Sequence, residues 1–213
     1  MKVLPLIGLA MVASMVVAQT PQVATDTDDG TKTIKVPTLR TTDPEEREIE
    51  TAMANRMVAQ QDGWFHDGDF PAIISAMRYQ NNVWPFDEES ASNLGWMLGN
   101  VDQKDEEIAV YMRFMHANPD NPNAPYSAAN FYYMKKNYIM AVSLLAPSVK
   151  MATLPHPNSY RLLAHGYQRL GFLTESLQAW DLYLPHSKGD AAGYMNRNRV
   201  AVLLGKPQTQ PGG

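Results

Sequence analysis

Side chains able to hold a metal or move a proton are few and scattered along this chain. The five histidines, His66, His116, His156, His165 and His186, include no pair at the i, i+4 spacing that sets two imidazoles on one helical face. No metal site is expected. His66, Asp67 and Asp69 read as a solvated turn rather than a cation site. Asp26, Asp28 and Asp29 before Gly30 begin like a calcium loop, but the rest of the ligand set is missing, so they read as an acidic leader. Asp105, Glu106 and Glu107 suit the positive end of a helix. General acid–base work would instead need two carboxyls in contrasting environments. Cysteine is absent, which removes thiolate ligands, thiol nucleophiles, disulfides and a lipoprotein anchor together. Neither a G-x-S-x-G elbow, a P-loop nor a G-x-G-x-x-G turn occurs. Catalytic residues and cofactors are therefore not expected, and the chain does not read as an enzyme.

Charge points away from polyanions. The formal net charge is -4, and no cluster of Lys and Arg offers a footprint for phosphate backbones or an anionic membrane. At 213 residues the chain is long enough for one sizeable apolar core. Lys2 is followed by an almost wholly apolar run, Val3 to Val17, then by Ala18 and the polar Gln19-Thr20-Pro21. This pattern predicts a signal peptide over residues 1–18, cleaved after Ala18, because the run is short of the roughly 20 apolar residues a spanning helix needs. Export to a periplasm or the cell exterior is the expectation, with an uncleaved anchor as the alternative.

The elements between the ends are helical. Residues 19–42 are polar, rich in Thr and Asp, and predicted to be a disordered leader, with Thr33 to Val36 the one short alternating stretch. Asp43-Pro44-Glu45-Glu46 predicts a helix start: a capping carboxylate, a proline at the first helical place, and acids at the positive end of the dipole. Ile49, Met53, Met57 and Gln60 then recur on one face. Residues 205–213, with two prolines and three glycines, are predicted to be disordered.

The helical region repeats itself. Windows 54–87, 88–121, 122–156 and 157–190 align with one extra residue in the third. The second window carries Asn93-Leu94-Gly95, then Tyr111 and Phe114, then Asn118-Pro119. The fourth carries Tyr160, Leu163-Ala164, Tyr167 and Leu170-Gly171, then Ser176, Trp180 and Tyr183. These are the places where a tetratricopeptide repeat sets its defining residues, and residues 54–190 resemble that family. Glu107 stands where the family prefers alanine, Gln60 and Gln61 replace Leu and Gly, and Pro147 interrupts the third repeat, where it should kink or shorten the second helix.

The resemblance implies an all-α, right-handed α-solenoid of helix-turn-helix repeats, closed by a capping helix over 191–204. Small residues (Gly95, Ala141, Ala164, Ser176) would let paired helices approach, and Tyr111, Tyr167 and Trp180 would fill the space around them. Trp180 and Trp64 are expected in the core. In such arrays the first helix of each repeat lines a concave groove that binds a peptide or protein. Carried over place by place, the groove implied here includes Trp96, Asn100, Asn123, Tyr126, Asn130, Tyr133, Arg161, His165 and Arg169. Tyr, Trp and Arg are the residue types that carry interface hot spots. The reading is a protein-interaction module, a scaffold or assembly factor of the cell envelope. Two alternatives stay open: a module that self-associates, and an enzyme using His165 with a neighbouring acid.

Overall fold

The computed structural model describes residues 41–187 and 189–210. The expected signal peptide and most of the expected leader, Thr33 to Val36 included, lie outside them. The described chain forms successive helical hairpins: α1 (Pro44–Asp67) with α2 (Phe70–Val83), α3 (Glu88–Asn100) with α4 (Lys104–Ala117), α5 (Tyr126–Met134) with α6 (Tyr138–Leu145), and α7 (Pro157–Leu170) with α8 (Leu173–Tyr183). A ninth helix, α9 (Ala191–Leu203), packs on α8. Among the described residues there is no strand.

Local chemistry sets the boundaries. The Asp43 carboxylate accepts from the amides of Glu45 at 2.8 Å and Glu46 at 3.2 Å, satisfying donors a helix leaves open, and Pro44 follows it. Asp69, Asp87 and Asn137 cap α2, α3 and α6 in the same way. Each hairpin turns through one residue in the left-handed region: Gly68 at φ 74°, Asp102 at 61°, Lys136 at 61° and Gly171 at 82°. Gly205, at 64°, ends α9 likewise. These five positions repeat the sequence period, so turn geometry and side-chain pattern share one register.

Pairing depends on small residues. A methyl group at Gly95 of α3 would overlap the Tyr111 ring of α4. One at Gly166 of α7 would lie 2.7 Å from Val142 of α6. The buried Ser176 hydroxyl donates to the Ala164 carbonyl at 2.8 Å, tying α8 to α7. Glu107 is accommodated by a second glycine: its carboxylate lies against Gly99, where a side chain would collide, and Lys104 bridges the two at 2.6 Å to the Gly99 carbonyl and 3.2 Å to Glu107.

The core forms two clusters. One gathers Ile73, Leu94, Leu98, Val110 and Phe114 from α2, α3 and α4; the other gathers Leu145, Tyr160, Leu163, Trp180 and Val200 from α6 to α9. Trp180 is fully buried, and Trp64 packs half-buried on the first cluster. Arg78 of α2 spans two hairpins by pairing with Glu106 of α4 at 2.7 Å.

Three features depart from the sequence reading or refine it. Ile49, placed on an apolar face of α1, is 68% exposed. The reason is length: α1 has 24 residues and α2 has 14, so pairing back from the turn matches Val83 with Ala54 and leaves the first turns of α1 beyond the end of α2. Pro147 shortens α6, which ends at Leu145 after 8 residues and passes into a 3-10 turn, Ser148–Lys150. The segment after Gly205 is held on α9 as far as Thr209: Arg197 donates to the Pro207 carbonyl at 2.7 Å, and Asn198 and Thr209 exchange two bonds of 2.8 Å.

A non-glycine residue in the left-handed region costs roughly 1–2 kcal/mol. Lys136→Gly should therefore stabilise the protein by about 1 kcal/mol, and Gly171→Ala should destabilise it by about the same, as read by urea unfolding. Equal stabilities in both variants would show that the repeated turn carries no strain.

Candidate functional site

The first helices of the hairpins, α3, α5 and α7, together with α9, present equivalent positions side by side. Trp96, Asn130, His165 and Arg199 follow one another at the repeat period, one on each of these helices. Tyr126 and Arg161 occupy the place one turn earlier, and Asn100, Met134 and Arg169 the place one turn later. Side chains four apart share a helical face, so these three rows form one surface.

The α5–α7–α9 part of this surface is drawn together. Arg169 lies close to the Tyr133 hydroxyl, and both Tyr133 and Tyr138 raise its pKa. Burial pushes the Tyr126 hydroxyl above its usual range, while the positive charge of Arg161 pulls it back. His165 is half-buried, its ring edge-on to Trp180 at 4.9 Å between centroids. Burial holds its imidazole below the ordinary value, and the guanidiniums of Arg161, Arg169 and Arg199 add to the shift. Every charged group acting on His165 is thus a cation. The carboxylate that an acid–base role for His165 would need is not among them.

Placement separates the expected site residues. Tyr126, Asn130, Tyr133, Arg161, His165 and Arg169 share this surface, with Asn130, Arg161 and Arg169 exposed. Trp96 lies farther along it, half-buried against the first core cluster. Asn100 is exposed, but its amide donates to the Trp96 carbonyl at 3.0 Å within its own helix. Asn123 is a structural tie: its side-chain oxygen accepts from the His156 amide at 2.7 Å, fixing the entry to α7. Sequence reasoning missed Arg199. The signal was present, since Arg199 stands 34 residues after His165, but α9 was read only as a closing helix.

The remaining chemistry-bearing residues have structural roles. Asp69 caps α2, His66 lies 3.7 Å from Asp62, Glu106 pairs with Arg78 and Glu107 with Lys104. Among the described residues no three His, Asp or Glu side chains gather as metal ligands, and no helix is long and apolar enough to cross a membrane. On the same side of α9 as Arg199, Met195, Val202 and Leu203 are exposed around an open depression of about 430 Å³ that Arg199 also lines.

No protein-family model matches the chain, and no curated protein matches it in sequence. Solved structures do match in fold. A crystal structure of MamA aligns with a TM-score of 0.55 at 18% identity, covering 68% of this chain and 84% of that one. MamA from Desulfovibrio magneticus RS-1 aligns at 0.55 and 15% identity, covering 71% and 85%. PilF of Pseudomonas aeruginosa aligns at 0.54 and 11% identity, covering 70% and 68%. These neighbours are tetratricopeptide-type helical solenoids, and this chain has that fold.

His165 gives this surface a measurable signature. The fold favours its neutral form, so as pH falls the unfolded chain takes up the proton first, near 6.5. The contribution is fully present above that value and is lost as pH falls toward the lower folded value. Unfolding free energy should decline below about pH 6.5, and His165→Asn should flatten that decline. Arg161→Ala and Arg169→Ala should each raise the imidazole midpoint in an NMR titration; an unmoved midpoint would show that the guanidiniums do not face the ring.

Proposed function

We propose that this chain is an exported scaffold that holds a protein or peptide partner on the surface formed by its first helices. The observation that carries the reading is the row Trp96, Asn130, His165 and Arg199. Four register-equivalent positions are aromatic, amide or cationic, whereas the core positions beside them, Leu94, Ala128, Leu163 and Val200, are apolar and buried. Residues that only faced solvent would have no reason to include a half-buried tryptophan, two tyrosines and three arginines on one face. Aromatic rings and guanidiniums are the groups that anchor protein partners. Lys2, the apolar run to Val17 and the small residues before Gln19 support export, and an assembly role in a cell envelope is consistent with them.

A second reading is self-association, supported by Met195 (65% exposed), Val202 (57%) and Leu203 (61%) on α9. A sedimentation mass of one chain, unchanged at tens of micromolar, would set it aside.

Cross-linking tests the leading reading. A photoreactive residue at Tyr133, on the first-helix surface, should capture a partner in the producing cell, and one at Tyr79, exposed on α2, should not. The variant Trp96→Ala, Tyr133→Ala, Arg161→Ala should weaken partner binding by about 100-fold or more if these are hot spots. The exported protein should begin at Gln19. Equal capture from both faces, or wild-type binding by the triple variant, would refute the reading.

A further inference from the structure

The three arginines on α7 and α9 stand apart from the ion-paired cations of the fold. Arg78 pairs with Glu106, Lys104 with Glu107, and Arg197 with Asp181 at 2.9 Å. Arg161, Arg169 and Arg199 are exposed, and among the described residues none of them is held in an ion pair. Asp190, whose carboxylate also accepts from the Tyr183 hydroxyl at 2.6 Å, senses Arg161 but forms no ion pair with it. A chain of net charge -4 thus concentrates three guanidiniums, none in an ion pair, around one half-buried imidazole. Like charges so grouped repel one another, and the arrangement resists protonation of His165. An anion placed among them would relieve the repulsion.

Resting on the groove reading above, we propose that the α5–α7–α9 end of the first-helix surface takes an extended acidic segment of a protein partner, whose Asp or Glu side chains pair with Arg161, Arg169 and Arg199. Tyr126 and Tyr133 flank the site, with the Tyr133 hydroxyl close to Arg169. The geometry also sets a spacing. Arg161 and Arg169 are eight residues apart on α7, about 12 Å along the axis. An extended chain covers about 13 Å in four residues, close to that distance, and even spacing puts both side chains on one face. Two carboxylates separated by three residues therefore reach both guanidiniums. Side-chain carboxylates are favoured over a polyphosphate backbone because the chain as a whole is acidic and would repel a long polyanion beyond the site.

The test uses the full-length protein and a labelled peptide of twelve residues, acetylated and amidated, with two Glu four positions apart in a Gly-Ser-Thr background. Its Gln counterpart is the control. Anisotropy should show the Glu peptide binding about tenfold or more tightly than the Gln peptide, with the preference shrinking as salt rises. Arg161→Gln with Arg169→Gln should remove that preference while urea unfolding stays near wild type. Arg199→Gln alone should reduce it. Binding should also raise the His165 midpoint, which faces Arg161, Arg169, Arg199 and the ring of Trp180. Equal binding of the Glu and Gln peptides overturns the proposal. So does a Gln peptide with a free C-terminus that binds as well as the Glu peptide, or a single-stranded oligonucleotide that binds better. If Tyr133 cross-links a partner in cells but the Glu peptide shows no preference, the groove reading survives and the acidic specificity does not. If neither occurs, both fail.

Discussion

Close approach of paired helices is the constraint on which the rest of this structure depends. Within two of the hairpins a small residue on one helix faces a large residue or donates to a carbonyl on the other. Gly95 receives the Tyr111 ring, and Ala164 presents its carbonyl to Ser176. Between hairpins, Gly166 admits Val142. Such contacts leave no slack, because protein interiors are packed as densely as organic crystals. They fix how one helix crosses the next, and the repeated left-handed turn at Gly68, Asp102, Lys136 and Gly171 hands the same geometry on. Apolar burial then follows in two clusters rather than setting the arrangement.

The same constraint explains where exposed polar side chains are free to collect. Small-to-large contacts and core positions occupy the faces that helices turn toward one another. The outward places of the first helices and of α9 are released from packing, and there the chain sets Asn130, Arg161, Arg169 and Arg199 around the half-buried His165. Second helices use their polar residues differently: Arg78 and Glu106 bridge α2 to α4, and Ser176 is consumed inside a hairpin. This division between first and second helices gathers the exposed amide and guanidinium side chains on one face.

Much of this was legible in the sequence, and the reasons differ by residue. Asp43-Pro44 marks a helix start because capping is local chemistry, and the structure places both as expected. Gly95 with Tyr111, and Ser176 with Trp180, were legible because a repeat shows its packing rule several times. Pro147 forecast a short helix because a proline lacks the donor a helix needs. Other features depend on tertiary context. Ile49 is exposed because one helix outruns its neighbour, which periodicity cannot register. Glu107 looks like a fault until Gly99 is seen opposite it. Asn123 carries an amide suited to binding, yet its oxygen is committed to the next hairpin. Arg199 was hidden by treating α9 as a terminus rather than as the first helix of one more register.

The interlock at Gly95 is the most direct point at which to test this account. A double-mutant cycle would combine Gly95→Ala with Tyr111→Ala and read each unfolding free energy in urea. The account predicts a large cost for Gly95→Ala alone and almost none in the Tyr111→Ala background, a coupling of about 1–3 kcal/mol. Costs that simply add would contradict it, because the helices would then be held at their spacing by something other than the fit of that ring against that glycine.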